Sequence, residues 1–364
     1  MIATSETELN QEDDFGNGAT LISFNGRAWS LAASKIEKSE AGKLTLTDAC
    51  ERFWFDDEAR NGDWGYITNT KNAIDVPGEW YWGDKTLYMY LPNDIPKDKL
   101  EGKKRQATIN LKNRKYINIE NINTIGGGMI LNNTEMCVIN GGEHKYVGHY
   151  TYSKDQQYGY ISDANKFNLT GSPQSGELGI YMGGDSDAVI NTHIEYSAGS
   201  GIYATGKYGY IENKLREDCG YMGGYAGGIF ITSTGVSNAE ANSSNQRGGY
   251  GIYNNTVRRA GRSVLEMASI ENPWWNAYGM EPFIASEIAY NDFSDSSITA
   301  RDTGVVYIHG IMLGTDRKKF KLHDNMIWNS WSECESNMGI YFDNYSQQGE
   351  AYNNIVFYTD KNIP

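Results

Sequence analysis

The second half of the chain repeats a short pattern: a small residue, an apolar residue, an aromatic or polar residue, and another apolar residue. The first apolar position of each repeat falls at Ile180, Ile202, Ile229, Leu265, Val305 and Ile340. Such alternation is typical of β-strands in which the first side chain points inward and the second outward. We therefore expect an outward aromatic column of Tyr181, Tyr203, Phe230 and Tyr341. Glu266 interrupts this column, or is buried if its register slips by one residue.

A second mark follows each of these runs. It is an asparagine within an apolar setting, at Asn191, Asn213, Asn255, Asn291, Asn325 and Asn354. Two marks in constant order, separated by more than about 20 residues, indicate stacked coils with loops of unequal length. An antiparallel sandwich would instead give a strand about every 8–12 residues. The pattern therefore predicts an all-β parallel β-helix in which corner asparagines form a ladder.

The first hundred residues lack this period and predict a separate small β-rich module. Runs at 19–24 and 44–47 alternate like strands, and 77–91 predicts a hairpin that turns at Gly83-Asp84. We interpret the clustered aromatic residues at 80–82 as core of this module, the alternative being a platform for sugars. A polar linker then divides the chain into an N-terminal module at 1–104 and a β-helix at 105–364.

Composition limits the partners. The 364 residues include 41 glycines but only 7 prolines, and the net charge is -14 with scattered cations. Nucleic acid and strongly anionic polysaccharides are therefore disfavoured, and neutral glycans fit better. No apolar run is long enough for a membrane span. Four cysteines without a CxxC pair predict neither a metal site nor a disulfide framework, and we interpret them as small buried side chains.

Long polar insertions lie between neighbouring runs, at about 143–176, 235–249 and 269–282. Loops from adjacent coils overhang one face of a solenoid and can form a cleft there. Trp274 and Trp275 lie in the last of these insertions, where we expect them to line a sugar pocket.

Asp295 and Asp302 flank a short bend before one of the apolar runs. Glycosidases use two carboxyl groups, one protonated and one ionised, so a bend that brings two aspartates together is a candidate active site. Spacing alone favours this pair no more than Asp185 with Asp187, or Glu266 with Asp343.

A resemblance favours Asp295 and Asp302. The segment Asp295-Ser-Ser-Ile-Thr-Ala-Arg-Asp302 and the later Gly339-Ile-Tyr-Phe-Asp-Asn-Tyr-Ser346 resemble a family of right-handed parallel β-helix glycosidases, the bacterial lacto-N-biosidases of the β-helix type. The resemblance covers about residues 105–364. It implies Asp295 as acid/base, Asp302 as nucleophile, retaining release of lacto-N-biose from milk-type or mucin-type glycans, and no cofactor. The expected substrate-binding residues are Glu266, Trp274, Trp275, Arg301, Tyr307, His309, Tyr341 and Asp343.

Two other function classes stay open. A polysaccharide lyase on the same fold would need a basic cleft, for which Lys318-Lys319 and Arg258-Arg259 are the nearest candidates. A non-catalytic glycan-binding β-helix would use the aromatic column alone. We also expect an extracellular or cell-surface location, and a further segment or partner subunit that covers the β-helix after Asn353-Asn354, because an open sheet edge is adhesive.

Overall fold

The structure is a computed structural model. It describes residues 2–4, 9–24, 26, 28, 31–46, 63–91, 100–103, 105, 107–148, 159–161, 178–221, 226–231, 249–268, 286–309, 319–331, 337–343, 346 and 349–357. Contacts divide the chain into two compact units, one of Met1–Gly102 with Tyr152–Ser162 and one of Lys103–Thr151 with Asp163–Pro364.

Nearly all regular structure in the described residues is β. The strands of the first half are β1 (Ile2–Thr4), β2 (Thr20–Phe24), β3 (Leu31–Glu40), β4 (Lys43–Leu46), β5 (Trp64–Thr68), β6 (Trp80–Gly83), β7 (Thr86–Met89), β8 (Ala107–Asn110), β9 (Asn118–Glu120), β10 (Thr124–Ile125), β11 (Gly128–Glu135), β12 (Val138–Asn140), β13 (Glu143–Gly148), β14 (Gly159–Ile161), β15 (Ile180–Asp185) and β16 (Ala188–Ile190). A short 3₁₀ helix spans Lys71–Ala73.

The remaining strands continue the same series. They are β17 (His193–Ser197), β18 (Ile202–Ala204), β19 (Tyr210–Glu212), β20 (Leu215–Cys219), β21 (Ile229–Ile231), β22 (Gly251–Tyr253), β23 (Thr256–Ala260), β24 (Leu265–Ala268), β25 (Glu287–Ala289), β26 (Asp292–Ser296), β27 (Thr303–His309), β28 (Phe320–His323), β29 (Met326–Ser330), β30 (Asn337–Phe342), β31 (Gly349–Tyr352) and β32 (Ile355–Phe357).

The second unit consists of three parallel sheets of eight strands each. Sheet 1 is β8-β11-β15-β18-β21-β24-β27-β30, sheet 2 is β9-β12-β16-β19-β22-β25-β28-β31, and sheet 3 is β10-β13-β17-β20-β23-β26-β29-β32. Successive strands visit the three sheets in turn, and each pairs in parallel with the strand one coil away. The predicted all-β fold, a parallel β-helix preceded by a small β-rich module, is confirmed.

The core of this unit lies between the three sheets. Its inward residues include Ile180, Ile202, Ile229 and Leu265, all fully buried. Leu265 pairs with Val306, and Val306 pairs with Ile340, so the run predicted to begin at Val305 in fact begins one residue later. The run Gly304-Val-Val-Tyr307 has one residue more between its glycine and its tyrosine than the Gly-Ile-Tyr runs. Because of this extra residue, Val306 and not Val305 aligns with the inward residues of the neighbouring strands.

The corner asparagines form two ladders rather than one. Asn191 and Asn213 have left-handed backbone (φ 54 and 52). The Asn191 side chain donates to Asn140 Oδ1 at 2.9 Å, and the Asn213 side chain donates to Asn191 Oδ1 at 2.8 Å. The later asparagines occupy the next position of the corner, where the amide turns inward. They are Asn255, Asn291, Asn325 and Asn354, linked in that order by Nδ2–Oδ1 hydrogen bonds of 2.8–2.9 Å.

The inward ladder also satisfies backbone groups. The Asn291 Nδ2 donates to the carbonyl oxygens of Ile252 and Ala289, both at 3.0 Å, and the Asn255 amide nitrogen donates to Asn291 Oδ1. Buried carbonyls without a hydrogen bond are costly, so one repeated amide stabilises the corners of several coils at once.

The first unit is antiparallel. Its main sheet runs β1-β4-β3-β2-β5, with β14 against β3, over a core that includes Ile36 and Leu44. In the β6–β7 hairpin the turn residues are Asp84 and Lys85, both with left-handed backbone, so the predicted Gly83-Asp84 turn is displaced by one residue. Trp80 and Trp82 are 49% and 59% exposed, so the interpretation of these rings as core is wrong.

Free thiols and the last coil complete the description. Cys137 and Cys219 are free and buried, as expected; Cys50 and Cys334 lie outside the described residues.

Val356 aligns with the buried Ile327 yet is 44% exposed. The expectation that a further segment or a partner covers this region stays a prediction.

Replacing Asn291 by Ala should lower the free energy of unfolding by about 2–3 kcal/mol, because Asn255 and two buried carbonyls lose their partner. Asn140→Ala, in the exposed ladder, serves as the matched control and should cost less than about 1 kcal/mol. Chemical denaturation measures both variants. Equal losses would contradict the distinct role of the inward ladder.

Candidate functional site

The outward column of sheet 1 begins with aromatic side chains and becomes polar further along the β-helix. Tyr181 and Tyr203 have ring centroids 6.0 Å apart, and Tyr203 and Phe230 are stacked at 5.4 Å. The register then continues the column from Phe230 to Glu266, from Glu266 to Tyr307 and from Tyr307 to Tyr341. The predicted aromatic column and its interruption by Glu266 are therefore confirmed. Tyr307 joins it because β27 begins its alternation one residue later than expected.

Glu266 is fully buried although its register is that of the outward aromatics. Arg262, four residues earlier and equally buried, has its Nη1 3.6 Å from Glu266 Oε1. The guanidinium of Arg262 also lies over the Tyr307 ring, 4.6 Å from the centroid. Buried charged side chains are stable in a protein when they are paired. The Arg262–Glu266 pair is therefore the buried part of a polar region at this end of the column.

Two carboxylates converge on the phenols of this region. The Tyr307 hydroxyl donates to Asp343 Oδ2 at 2.6 Å, and the Tyr341 hydroxyl donates to Asp302 Oδ1 at 3.5 Å. Burial raises the pKa of Tyr341, and the negative charges of Asp302 and Asp343 raise it further. The Tyr341 hydroxyl therefore interacts with both carboxylates and stays protonated, as a hydrogen-bond donor, at neutral pH.

His309 completes this group. It is buried, and its ring is stacked on that of Tyr307 at a centroid distance of 6.0 Å. Burial lowers the pKa of His309; Asp343 acts in the opposite direction, and the positive charge of Arg262 lowers it further. The imidazole is therefore held in its neutral form at neutral pH, in which one ring nitrogen donates and the other accepts a hydrogen bond.

Asp295 lies on β26, the strand that precedes Asp302 in the chain. It lies at the end of β26 in sheet 3, and its Oδ1 accepts from Asn329 Nδ2 at 2.5 Å and from Trp331 Nε1 at 3.1 Å. Ser294 donates to its other oxygen at 2.9 Å. With Asp218, Arg259 and Asn329 it forms a column of left-handed corner residues.

The hydrogen bonds among described residues therefore bring Asp302 together with Asp343, and they hold Asp295 by a separate set of donors. Of the other residues expected in the site, Arg301 is partly exposed directly before Asp302. Trp274 and Trp275 lie outside the described residues. Arg262 was missed by sequence reasoning, although its spacing of four residues before Glu266 was a readable indication.

The alternative pair Asp185 and Asp187 has a structural role. Asp187 is buried, and its carboxylate accepts hydrogen bonds from the Cys137 amide at 2.9 Å and from the Thr134 hydroxyl. Burial raises the pKa of Asp187. The carboxylate thus ties neighbouring coils together at a turn.

The candidate bases for a lyase are also engaged. Arg258 Nε donates to Glu217 at 2.5 Å, and Arg259 makes two hydrogen bonds of 2.9 Å to Asp218. Lys319 pairs with Glu350 at 2.9 Å, and Lys318 lies outside the described residues. These ion pairs argue against the lyase alternative.

One group of described residues has the ligand types of a metal site. The ligand atoms of His193, Glu195 and Glu217, from β17 and β20, lie within 4.8 Å of one another. Lys145 Nζ is 3.3 Å from Glu195, and two arginines pair with Glu217. Both carboxylates therefore already have positively charged partners, and the group is a salt-bridge network in which Glu217 is buried.

Comparisons with known proteins give no family assignment: no family model, no curated protein and no solved structure matches the chain. Among the described residues, no helix is long and apolar enough to cross a membrane.

Asp343→Asn should lower the pKa of His309 further, because it removes a negative charge that favours the imidazolium. NMR titration of the ring protons measures this pKa. The folded pKa of His309 already lies below the usual value of 6.5. As the pH falls through about 6.5, the unfolded chain therefore binds the proton first, and this histidine reduces stability at acid pH. Asp295→Asn is the control and should leave the titration unchanged; an equal shift in both variants would contradict the grouping of these residues.

Proposed function

We propose that this protein is a glycoside hydrolase that acts on neutral glycans at the polar end of the sheet 1 column. The observation that carries the proposal is the pair Asp302 and Asp343, both of which interact with the Tyr341 hydroxyl. Glycosidases need two carboxyl groups beside one bond, the first to protonate the leaving oxygen and the second to act as base or nucleophile. We propose Asp302 and Asp343 for these two roles.

The neighbouring side chains suit the same chemistry. Tyr307 and Tyr341 orient the two carboxylates through hydrogen bonds, and the buried pair Arg262–Glu266 supports Tyr307 from below. A carboxyl acid works best when its orientation is fixed before the substrate arrives. The group therefore combines acid, base and positioning residues, whereas the three donors around Asp295 suit a structural corner.

The substrate class follows from charge and from the aromatic part of the column. A chain of net charge -14 repels polyanions, so a neutral oligosaccharide is the favoured ligand. Tyr181 and Tyr203, both partly exposed, offer rings for sugar faces along the same column. The sequence resemblance suggests lacto-N-biose as the released unit, at the cell surface or outside the cell.

The test is hydrolysis of lacto-N-tetraose, followed by chromatography of the disaccharide. Asp302→Asn and Asp343→Asn should each lower kcat/KM by about 10²–10⁴ or more, the contribution of acid–base catalysis. Asp295→Asn is the matched aspartate control and should change it by less than about tenfold, near 1.4 kcal/mol.

Each outcome of this test decides a different point. A loss in Asp295→Asn as large as in Asp302→Asn would restore the pair expected from the resemblance. A loss of kcat/KM of less than about tenfold in all three variants would refute catalysis by these residues. Intact lacto-N-tetraose and intact related neutral glycans, with binding retained, would instead favour a glycan-binding protein.

The roles of the two carboxyl groups can be separated on an aryl glycoside. Loss of the proton donor is tolerated when the leaving group needs no proton, whereas loss of the base or nucleophile is not. NMR of the first product shows whether the anomeric configuration is retained or inverted. That outcome reports the spacing of the carboxyl groups, which is about 5–5.5 Å in retaining enzymes and larger in inverting enzymes.

A further inference from the structure

The inward face of sheet 3 contains an arginine where its neighbours are apolar. Arg216 aligns with Ile194 in the preceding coil and with Val257 in the following coil, and all three are inside the β-helix. Arg216 is fully buried, and no described residue accepts a hydrogen bond from its Nε, Nη1 or Nη2. A guanidinium has five N–H donors and no acceptor, so these groups call for an acceptor that the neighbouring side chains do not supply.

A second cation lies two residues earlier. Lys214 occupies the inward corner position, aligned with Thr192 before it and Asn255 after it. Its side chain is 3% exposed, and among the described residues its Nζ has no hydrogen-bond partner. Lys214 thus stands where the inward asparagine ladder ends, and no described donor reaches Asn255 Oδ1.

The two cations act on each other and are poorly compensated. The pKa of Lys214 is lowered to about 5, chiefly by burial and secondly by the positive charge of Arg216. Burial lowers the pKa of Arg216 to about 9. Glu212 acts on Lys214 from the outward side of the corner, where its carboxylate accepts from Asn254 at 3.3 Å.

Nearby polar groups do not neutralise this pair. Burial raises the pKa of the Cys219 thiol to about 12, so the thiol stays uncharged beside Arg216. His144 is fully buried, and its pKa is lowered to about 4 by burial, with Lys214 acting in the same direction. The carboxylate of Glu217, directly after Arg216, is buried but pairs with two other arginines, so none of these three groups compensates Lys214 and Arg216.

We infer that the interior of the β-helix binds a small inorganic anion of the halide class between Lys214 Nζ and the Arg216 guanidinium. Two buried side chains that are two residues apart, and rich in N–H donors without a partner among the described residues, favour an ion that accepts several hydrogen bonds and carries negative charge. Arg216 lies between the apolar Ile194 and Val257, which offer no polar partner for the remainder of an organic acid, so a simple inorganic ion is favoured. Water supplies acceptors but leaves the Arg216 charge uncompensated, whereas a bound anion compensates it and also favours the protonated form of Lys214.

The first test is a crystal of the full chain grown in sodium bromide and measured at the bromine absorption edge. An anomalous peak within hydrogen-bond distance of both Lys214 Nζ and the Arg216 guanidinium supports the site. Electron density for a water only, or a protein carboxylate on these groups, overturns it.

The second test measures the melting temperature in sodium chloride and in sodium gluconate at equal ionic strength. A ligand of the folded state raises the melting temperature, so the wild type should melt at least about 2 °C higher in chloride. Arg216→Met, which fits an inward column of apolar residues, should remove this difference and need not lower stability, since it removes a buried charge.

Arg259→Gln provides the matched control, because Arg259 is paired with Asp218 on the outside of the same sheet. Its chloride dependence should equal that of the wild type. Loss of the dependence in Arg259→Gln but not in Arg216→Met would show a surface effect of the salt and overturn the inference. Identical melting of the wild type in both salts would also overturn it.

Discussion

The parallel register between successive coils is the constraint on which the rest of this structure depends. Every strand of the three sheets pairs with the strand one coil away, so each residue stacks on the residue at the same position of its neighbour. Backbone hydrogen bonds fix this alignment, and a slip of one residue would exchange the inward and outward faces. Columns of like side chains follow from it directly, whether apolar inside, amide at the corners or aromatic outside.

The candidate site is a departure from such a column. On sheet 1 the aromatic series Tyr181, Tyr203 and Phe230 gives way to Glu266, and then to two tyrosines whose hydroxyls meet Asp302 and Asp343. The regular register keeps Glu266, Tyr307 and Tyr341 in fixed relation. Asp302 and Asp343 lie directly at the ends of β27 and β30. A rigid sheet is a better support for catalytic side chains than a loop, because the position of each side chain follows from the ladder itself.

The interior of the β-helix also departs from its regular columns, and there two basic side chains lack hydrogen-bond partners among the described residues. The inward asparagine ladder satisfies its own donors and the corner carbonyls around it, and it ends where Lys214 replaces the amide. Two residues later in the same coil, Arg216 aligns with the aliphatic side chains of Ile194 and Val257. Polar groups in a core are stabilising when they are fully satisfied and costly otherwise, so these two basic side chains distinguish this coil from the two coils next to it.

The sequence by itself determined the repeating architecture, because the alternation around Ile180, Ile202 and Ile229 is a local property that the coil merely stacks. It also identified the outward column and the burial of the described cysteines. Only the tertiary structure decided which carboxylates share a partner. Asp302 and Asp343 are far apart in sequence, and the pairing of β27 with β30 brings both to the Tyr341 hydroxyl. Asp295 instead accepts hydrogen bonds from Ser294, Asn329 and Trp331. The same holds for the exposed Trp80 and Trp82, and for β14, which pairs with β3, since each depends on partners that no local pattern specifies.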